Sequence, residues 1–374
     1  MMAIMKSKSK FKKYFLAQFP WVPYLFFRYL PLPYAFKING GGERKRARNI
    51  AIEAGIRGWN SIEFKELNLS SLEYFGTENV IKVVIEDAND YVSQVKYIVK
   101  KYKPSYYLYD PRTGSQKFFG GLYQAVKIAL IFHFYGVTPI AYITDISLRK
   151  HRSQAALITA KRGVVVCFME STLVSKMFPH NRIIGPSIMP FSIQTMNHLE
   201  GLIAENSTIG KSKISFTGSL YEPRTSTLNE ISFELKKHGI ELEIQGRVMG
   251  GKRVPDDEYW LKIINSKIVI TTADQNNIDN GDWNWVPQMV YRYLEATICG
   301  SVLLAPDVPG VNKYFCIDEE FISYKTKNDA VVKVINLLRD EPYRSMVAKR
   351  GLLKARSLVN THRFWREIDN YLKA

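Results

Sequence analysis

Tyr291-Arg-Tyr-Leu-Glu-Ala-Thr-Ile-Cys-Gly300 runs directly into Ser301-Val-Leu-Leu-Ala-Pro306. The first stretch reads as a short helix stopped at Gly300, and Val302 to Ala305 as a strand apolar enough to be buried on both faces. Arg292 and Glu295 lie one helical turn apart. A carboxylate there, beside the carboxyl end of a strand, is placed to accept hydrogen bonds from ribose hydroxyls. The helix, expected from Gln288 to Cys299, would point its N-terminus at a diphosphate. The same two residues also read as a plain surface Arg–Glu pair, so their neighbours must decide.

Working outward, strands and helices alternate. Toward the N-terminus the pattern predicts strands at 35–38, 61–64, 79–86, 105–110, 137–144 and 164–168. Helices are expected at 43–54, 90–101, 121–134 and 171–177. The stretches Ile184 to Phe191 and Glu205 to Ser212 read as an interdomain linker. A second series follows, with strands at 213–217, 242–245, 267–272, 302–305 and 321–324. Its helices are expected at 225–237, 258–265, 288–299, 328–338, 343–355 and 361–372. Apolar strands alternating with helices argue for parallel sheets covered on both sides. The fold class is therefore α/β, with two doubly wound Rossmann-like domains facing each other across a cleft. The divisions fall at residues 1–34 (an arm), 35–205, 206–358 and a closing helix, 359–374.

The chain has 374 residues and a formal charge of +17, which points to an anionic partner. Nucleic acid, an anionic membrane surface and phosphorylated substrates all satisfy that charge. The basic residues are spread along the chain and no nucleic-acid module is recognisable, which makes nucleic acid the least favoured. Three scattered cysteines, Cys167, Cys299 and Cys316, read as small buried hydrophobes in a reducing compartment. Neither a Cys/His cluster nor an Asp-x-Asp in a suitable strand-end loop is present, so no metal and no bound cofactor are expected. Lys6, Lys8, Lys10, Lys12 and Lys13 precede an aromatic run to Phe36. Gln18, Pro20, Pro23 and Arg28 interrupt it, excluding a transmembrane helix. Residues 1–36 suit either an anionic bilayer surface or an arm packed on the domain. The expected location is cytoplasmic, peripheral to the inner face of the plasma membrane.

The C-terminal half resembles the nucleotide-sugar-binding domain of GT-B glycosyltransferases of the family 1 and family 4 group, nearest the spore-maturation-protein type. Arg292-Tyr-Leu-Glu-Ala-x-x-x-Gly300 and Leu303-Leu-Ala-Pro306 carry the resemblance. It runs on through Gly310, Tyr314-Phe315, Glu319-Glu-Phe321, Leu337-Leu-Arg-Asp340 and Arg344 to Arg350. A second anchor is Phe216-Thr-Gly-Ser-Leu-Tyr-Glu-Pro-Arg224. The resemblance implies that Gly218 ends the first strand of this domain and that Arg224 helps hold the donor phosphates. Ser219, Arg247, Gln288, Arg292 and Glu295 complete the implied donor set. Two positions depart from the family: Pro287 stands where a second glutamate is common, and Ser219 where an arginine is common. Trp283, Asn284 and Trp285 would face the donor sugar or fill the domain surface.

In the N-terminal half, Gly40, Gly41 and Gly42 with Arg44 read as a loop that lets a phosphate or an acceptor approach the backbone, or as a plain turn. Asp110 and Asp145 end strands and are the candidate catalytic bases, Asp145 first. Helix capping accounts for either equally well. The implied reaction is glycosyl transfer from a nucleotide-diphosphate sugar to a glycan or lipid-linked acceptor, in cell-envelope or polysaccharide synthesis. Arg224, Arg292 or Arg247 would meet the leaving diphosphate. The rivals are a GT-B-shaped binding protein without catalysis and a basic nucleic-acid-binding protein.

Overall fold

The computed structural model describes residues 49–56, 62–87, 90–113, 118–144, 149–161, 163–169, 174–175, 178, 181–206, 211–248, 254–272 and 288–373. The N-terminal arm, Gly40 to Gly42, Arg44, Asp145 and Trp283 to Trp285 lie outside them. The chain divides into two compact units. The first comprises 1–60, 75–167 and 172–184; the second comprises 61–74, 168–171 and 185–374.

The first unit holds β1 (Ile50–Ile56), β2 (Val80–Ile85), β3 (Tyr106–Tyr109), β4 (Thr138–Ile143), β5 (Val164–Cys167) and β6 (Ile183–Ile184). They form one parallel sheet in the order β2-β1-β3-β4-β5-β6. Helices α2 (Tyr91–Tyr102), α3 (Phe118–Tyr135) and α4 (Arg149–Thr159) connect successive strands. Their inner residues Val95, Val99, Ala125, Ile128, Phe132 and Leu157 share one core with Ala51, Val83 and Tyr107 of the sheet. All four residues of β5 are buried, as a central strand requires. The helix expected over 43–54 is contradicted at its C-terminal end, where β1 lies. Ala, Glu and Ile there have fair helix propensity, but Ile50, Ala51 and Ile52 are buried between β2 and β3, and tertiary pairing overrides the local preference.

The second unit begins with a surprise. Residues 61–64, expected as a strand, open helix α1 (Ile62–Phe75). Its buried stripe runs through Ile62, Glu66, Leu67, Ser70 and Ser71, at helical spacing but half polar, which concealed it. Between the two stretches read as linker lies a helix that no expectation covered, α5 (Ile193–Glu205). The two helices belong together. Glu66 Oε2 accepts from both the N–H and the hydroxyl of Ser192, at 2.7 Å each. Glu73 accepts from the N–H groups of Ile193 and Gln194, at 2.8 Å each, and Ser192 Oγ accepts from Thr195 N–H at 3.0 Å. The orphan donors at the start of α5 are thus met by two carboxylates, which the helix dipole also favours.

The rest of this unit is β7 (Lys213–Leu220), α6 (Arg224–Lys237), β8 (Glu243–Val248), α7 (Asp256–Ile264), β9 (Ser266–Ile270), α8 (Arg292–Ile298), β10 (Val302–Pro306), β11 (Ile322–Tyr324), α9 (Lys327–Arg339), α10 (Glu341–Asn360) and α11 (Arg363–Lys373). Its parallel sheet has the order β11-β10-β9-β7-β8. Trp365 on α11 donates to Ser70 Oγ of α1 at 2.9 Å. Lys211 donates to the carbonyls of Ile264 and Cys299, both at 2.8 Å, and so closes the C-terminal ends of α7 and α8. Cys167 and Cys299 are buried, but Cys316 is exposed, contrary to the expectation for all three. Among the described residues, no helix is long and apolar enough to cross a membrane.

Candidate functional site

The strand ends of the second sheet carry several of the residues expected to bind a donor. β7 is buried from Ile214 to Thr217 and then opens at Gly218. A Cβ added at Gly218 would come within 3.2 Å of both Arg292 Nη2 and Phe216 Cζ, so the strand end needs a residue without one. Arg224, the first residue of α6, folds back over this end. Its Nη1 donates to the Ser219 carbonyl and its Nε to Thr272 Oγ1, both at 3.0 Å, and the guanidinium stacks 4.3 Å from the Tyr221 ring. One arginine therefore ties the carboxyl end of β7 to the residues leaving β9, its neighbour in the sheet. Ser219 is in register with Arg247 on β8.

Behind this edge lies a buried cluster. Arg292 is 8% exposed and Glu295 3%. Arg292 Nη1 pairs with Glu295 Oε2 at 2.8 Å and reaches the Tyr259 hydroxyl at 2.5 Å, while Nη2 donates to the Thr217 carbonyl. Tyr259 closes the ring by donating to Glu295 Oε1 at 2.6 Å. Burial works against the charge on Arg292, but the Glu295 carboxylate and Tyr259 outweigh it and leave the guanidinium pKa raised. Burial above all pushes the Tyr259 hydroxyl up as well, keeping it a donor. The surface-pair reading of Arg292 and Glu295 is thereby excluded. A buried pair this well hydrogen-bonded fixes the position of its carboxylate.

α8 starts at Arg292, not near Gln288, and the Met289 N–H ahead of it meets the Phe168 carbonyl at 2.9 Å. All seven of its residues are buried. Gln288 is itself buried, and its Oε1 has no hydrogen-bond partner among the described residues.

In the first unit, Asp110 is fully buried. Its carboxylate accepts from Arg112 N–H at 2.8 Å and pairs with the Arg112 side chain at 2.6 Å. That geometry locks the 110–113 turn and speaks for a structural role. Glu53 on β1, which sequence reasoning missed, holds the same turn from inside. It accepts from Asp110 N–H at 3.0 Å, Thr113 Oγ1 at 2.6 Å, Tyr107 at 3.0 Å and Tyr91. Burial, the dominant cause, pushes its carboxyl up to about 7. An acid inside the run Ile50-Ala-Ile-Glu-Ala was the available signal. Tyr259 and Thr272, also missed, carry no local signal, since only the fold brings them to the site. Asp145, Gly40, Gly41, Gly42 and Arg44 lie outside the described residues, and of Arg247 only the backbone is described. Among the described residues no group of three or more His, Cys, Asp or Glu could hold a metal ion.

Residues 220–373, nearly the whole second unit beyond β7, match the family model described as glycosyl transferase-like. The structure superposes on HepE of Anabaena in complex with UDP and glucose, with a TM-score of 0.58 at 10% identity, covering 87% of this chain and 99% of that one. The chain has the GT-B fold. A glycosyltransferase from Rickettsia africae superposes similarly, with a TM-score of 0.53 at 8% identity over 87% of this chain and 98% of that one. No curated protein sequence matches the chain. In this GT-B protein the glycosyl transferase-like domain is the unit that carries the Arg224 and Arg292–Glu295 cluster.

Proposed function

We propose that this GT-B protein is a glycosyltransferase that moves a sugar from a nucleotide-diphosphate donor to an acceptor hydroxyl, without a bound metal, in the synthesis of a cell-envelope or other glycan. The observation that carries the reading is the pairing of a strand-end guanidinium, Arg224, with a rigidly held carboxylate, Glu295, in one domain. Each Glu295 oxygen accepts one hydrogen bond within the protein and retains acceptor capacity for a ribose hydroxyl. In the reaction the acceptor oxygen bonds to the anomeric carbon, the bond from that carbon to the diphosphate oxygen breaks, and the acceptor proton passes to a base. Asp145 is the candidate for that base. Negative charge grows on the departing diphosphate, and Arg224 at the strand end is the group to meet it.

HepE holds UDP, so UDP is the first nucleotide to test. Thermal shift against UDP, GDP, ADP and CMP, with their common sugars, should reveal one nucleotide that stabilises the wild type. Glu295→Gln and Arg224→Met should both lose that response while keeping a cooperative melt. No response to any nucleotide would sink the proposal.

A further inference from the structure

The outer face of α2 and α3, remote in sequence from the donor set and not used by it, has an unusual surface. Tyr97 is 58% exposed and Tyr123 63%, and Tyr102, Phe134 and Tyr135 are also exposed. On α3, Tyr123, Lys127, Leu130 and Phe134 follow one another at helical spacing, a stripe about 16 Å long. On α2, Lys96 and Lys100 lie one turn apart beside Tyr97 and Lys101, and Lys103 caps the helix end. The ammonium groups lie over the rings, Lys127 at 4.2 Å from Tyr123 and Lys101 at 4.8 Å from Tyr102.

Charge on this face has one sign. Between Tyr91 and Gly136 the sequence contains six lysines and one arginine against a single acid, Asp110, which is buried and bound to Arg112. Lys96, Lys100, Lys101, Lys103 and Lys127 are all exposed, and none pairs with a carboxylate among the described residues. The neighbouring helices α2 and α3 share one core beneath, so their outer surfaces belong to one layer.

From this geometry we infer that the α2–α3 face docks on an anionic lipid bilayer. Tyrosine rings settle at the head-group level, lysine stems reach from an apolar contact to the phosphates, and Phe134 and Leu130 gain an apolar phase. Nucleic acid offers no such phase. The face also lacks an exposed arginine, the usual base-reading and phosphate-forking cation.

The test is flotation of the full chain with vesicles of phosphatidylcholine alone or mixed with phosphatidylglycerol, at low and high salt. The wild type should float only with the anionic vesicles, and less at high salt. Lys96→Gln, Lys100→Gln, Lys101→Gln and Lys127→Gln combined should lower partitioning by at least roughly 100-fold. Tyr123→Ser with Phe134→Ser should lower it by about tenfold at every salt concentration. Circular dichroism checks that both sets remain folded, and either set alone suffices to decide. Undiminished flotation of either folded set, no flotation of the wild type, or equal flotation with neutral vesicles overturns the inference. So does tighter binding to an oligonucleotide, or a solution dimer, abolished by the same substitutions.

Discussion

Replacing Glu53 by glutamine probes the most heavily invested side chain of the first unit. The wild-type carboxyl is fully buried and its pKa rises from an ordinary 4.5 to about 7, because burial penalises the charge more than its donors repay it. A folded-state value above the unfolded one means a contribution to stability that is complete below about pH 4.5 and lost as pH climbs through about 7. At roughly 1.4 kcal/mol per pH unit, that gap is worth about 3 kcal/mol. Glutamine does not ionise and has no such slope. It does have only one acceptor oxygen for a site that offers four donors, and an orphaned Asp110 N–H costs about 1–3 kcal/mol at any pH. The wild type should therefore be the more stable of the two at about pH 5, and the gap should close or reverse by about pH 8. Hydrogen exchange of peptides spanning 106–113 in the intact protein, corrected for the intrinsic rate, reads this locally. A gap that stays constant, or widens with pH, would refute the reasoning.

Gly218→Ala should push Arg292 off the Thr217 carbonyl, weaken nucleotide binding by roughly tenfold and lower the melting temperature by about 2–4 °C; isothermal titration with the stabilising nucleotide and a thermal melt check it. Ser192→Ala removes the cap of α5 and one partner of Glu66, and should cost about 1–2 kcal/mol in urea unfolding followed by tryptophan fluorescence. Lys211→Met should change a pH profile at the alkaline end. Burial lowers the Lys211 ammonium from an ordinary 10.5 to about 8, so the unfolded chain binds more protons between those values and wild-type stability rises across them. The variant should lack that rise, and parallel profiles would exclude it.

Much of the architecture was legible because the buried strands say so themselves. Val164 to Cys167 and Val302 to Ala305 are apolar at every position, and nothing but a covered parallel strand accommodates that. Segments whose inner face is polar were misread. Helix α1 turns Glu66, Ser70 and Ser71 inward, which erases the hydrophobic period, and α5 is held by partners more than a hundred residues earlier in the chain. Arg292, Glu295 and Arg224 were singled out through the order of residues around them, and the fold sets Arg292 and Arg224 at the end of one strand. Tyr259 and Thr272 were not, since a hydroxyl distant in sequence becomes informative only once folding sets it against a charge. Asp110 illustrates the converse: its strand-end position suggested chemistry, and Arg112 two residues later takes up its carboxylate.

The placement of α1 limits how this molecule can be cut. Residues 62–74 are made early, yet their partners are Ser192 to Thr195 and Trp365 and Asp369. An excised fragment beginning near residue 206 would lack α5 as well as both of the glutamates that begin it, and would bare the face of α11 where Trp365 rests. During synthesis, the buried Glu66 of α1 must wait for Ser192 and Thr195 before it meets its donors, and Ser70 and Tyr74 wait longer, for Trp365 and Asp369. The glycosyl transferase-like domain is contiguous as a sequence match, but as a folding body it is stitched from segments far apart in the polypeptide, and α1 completes its contacts only once α11 has formed.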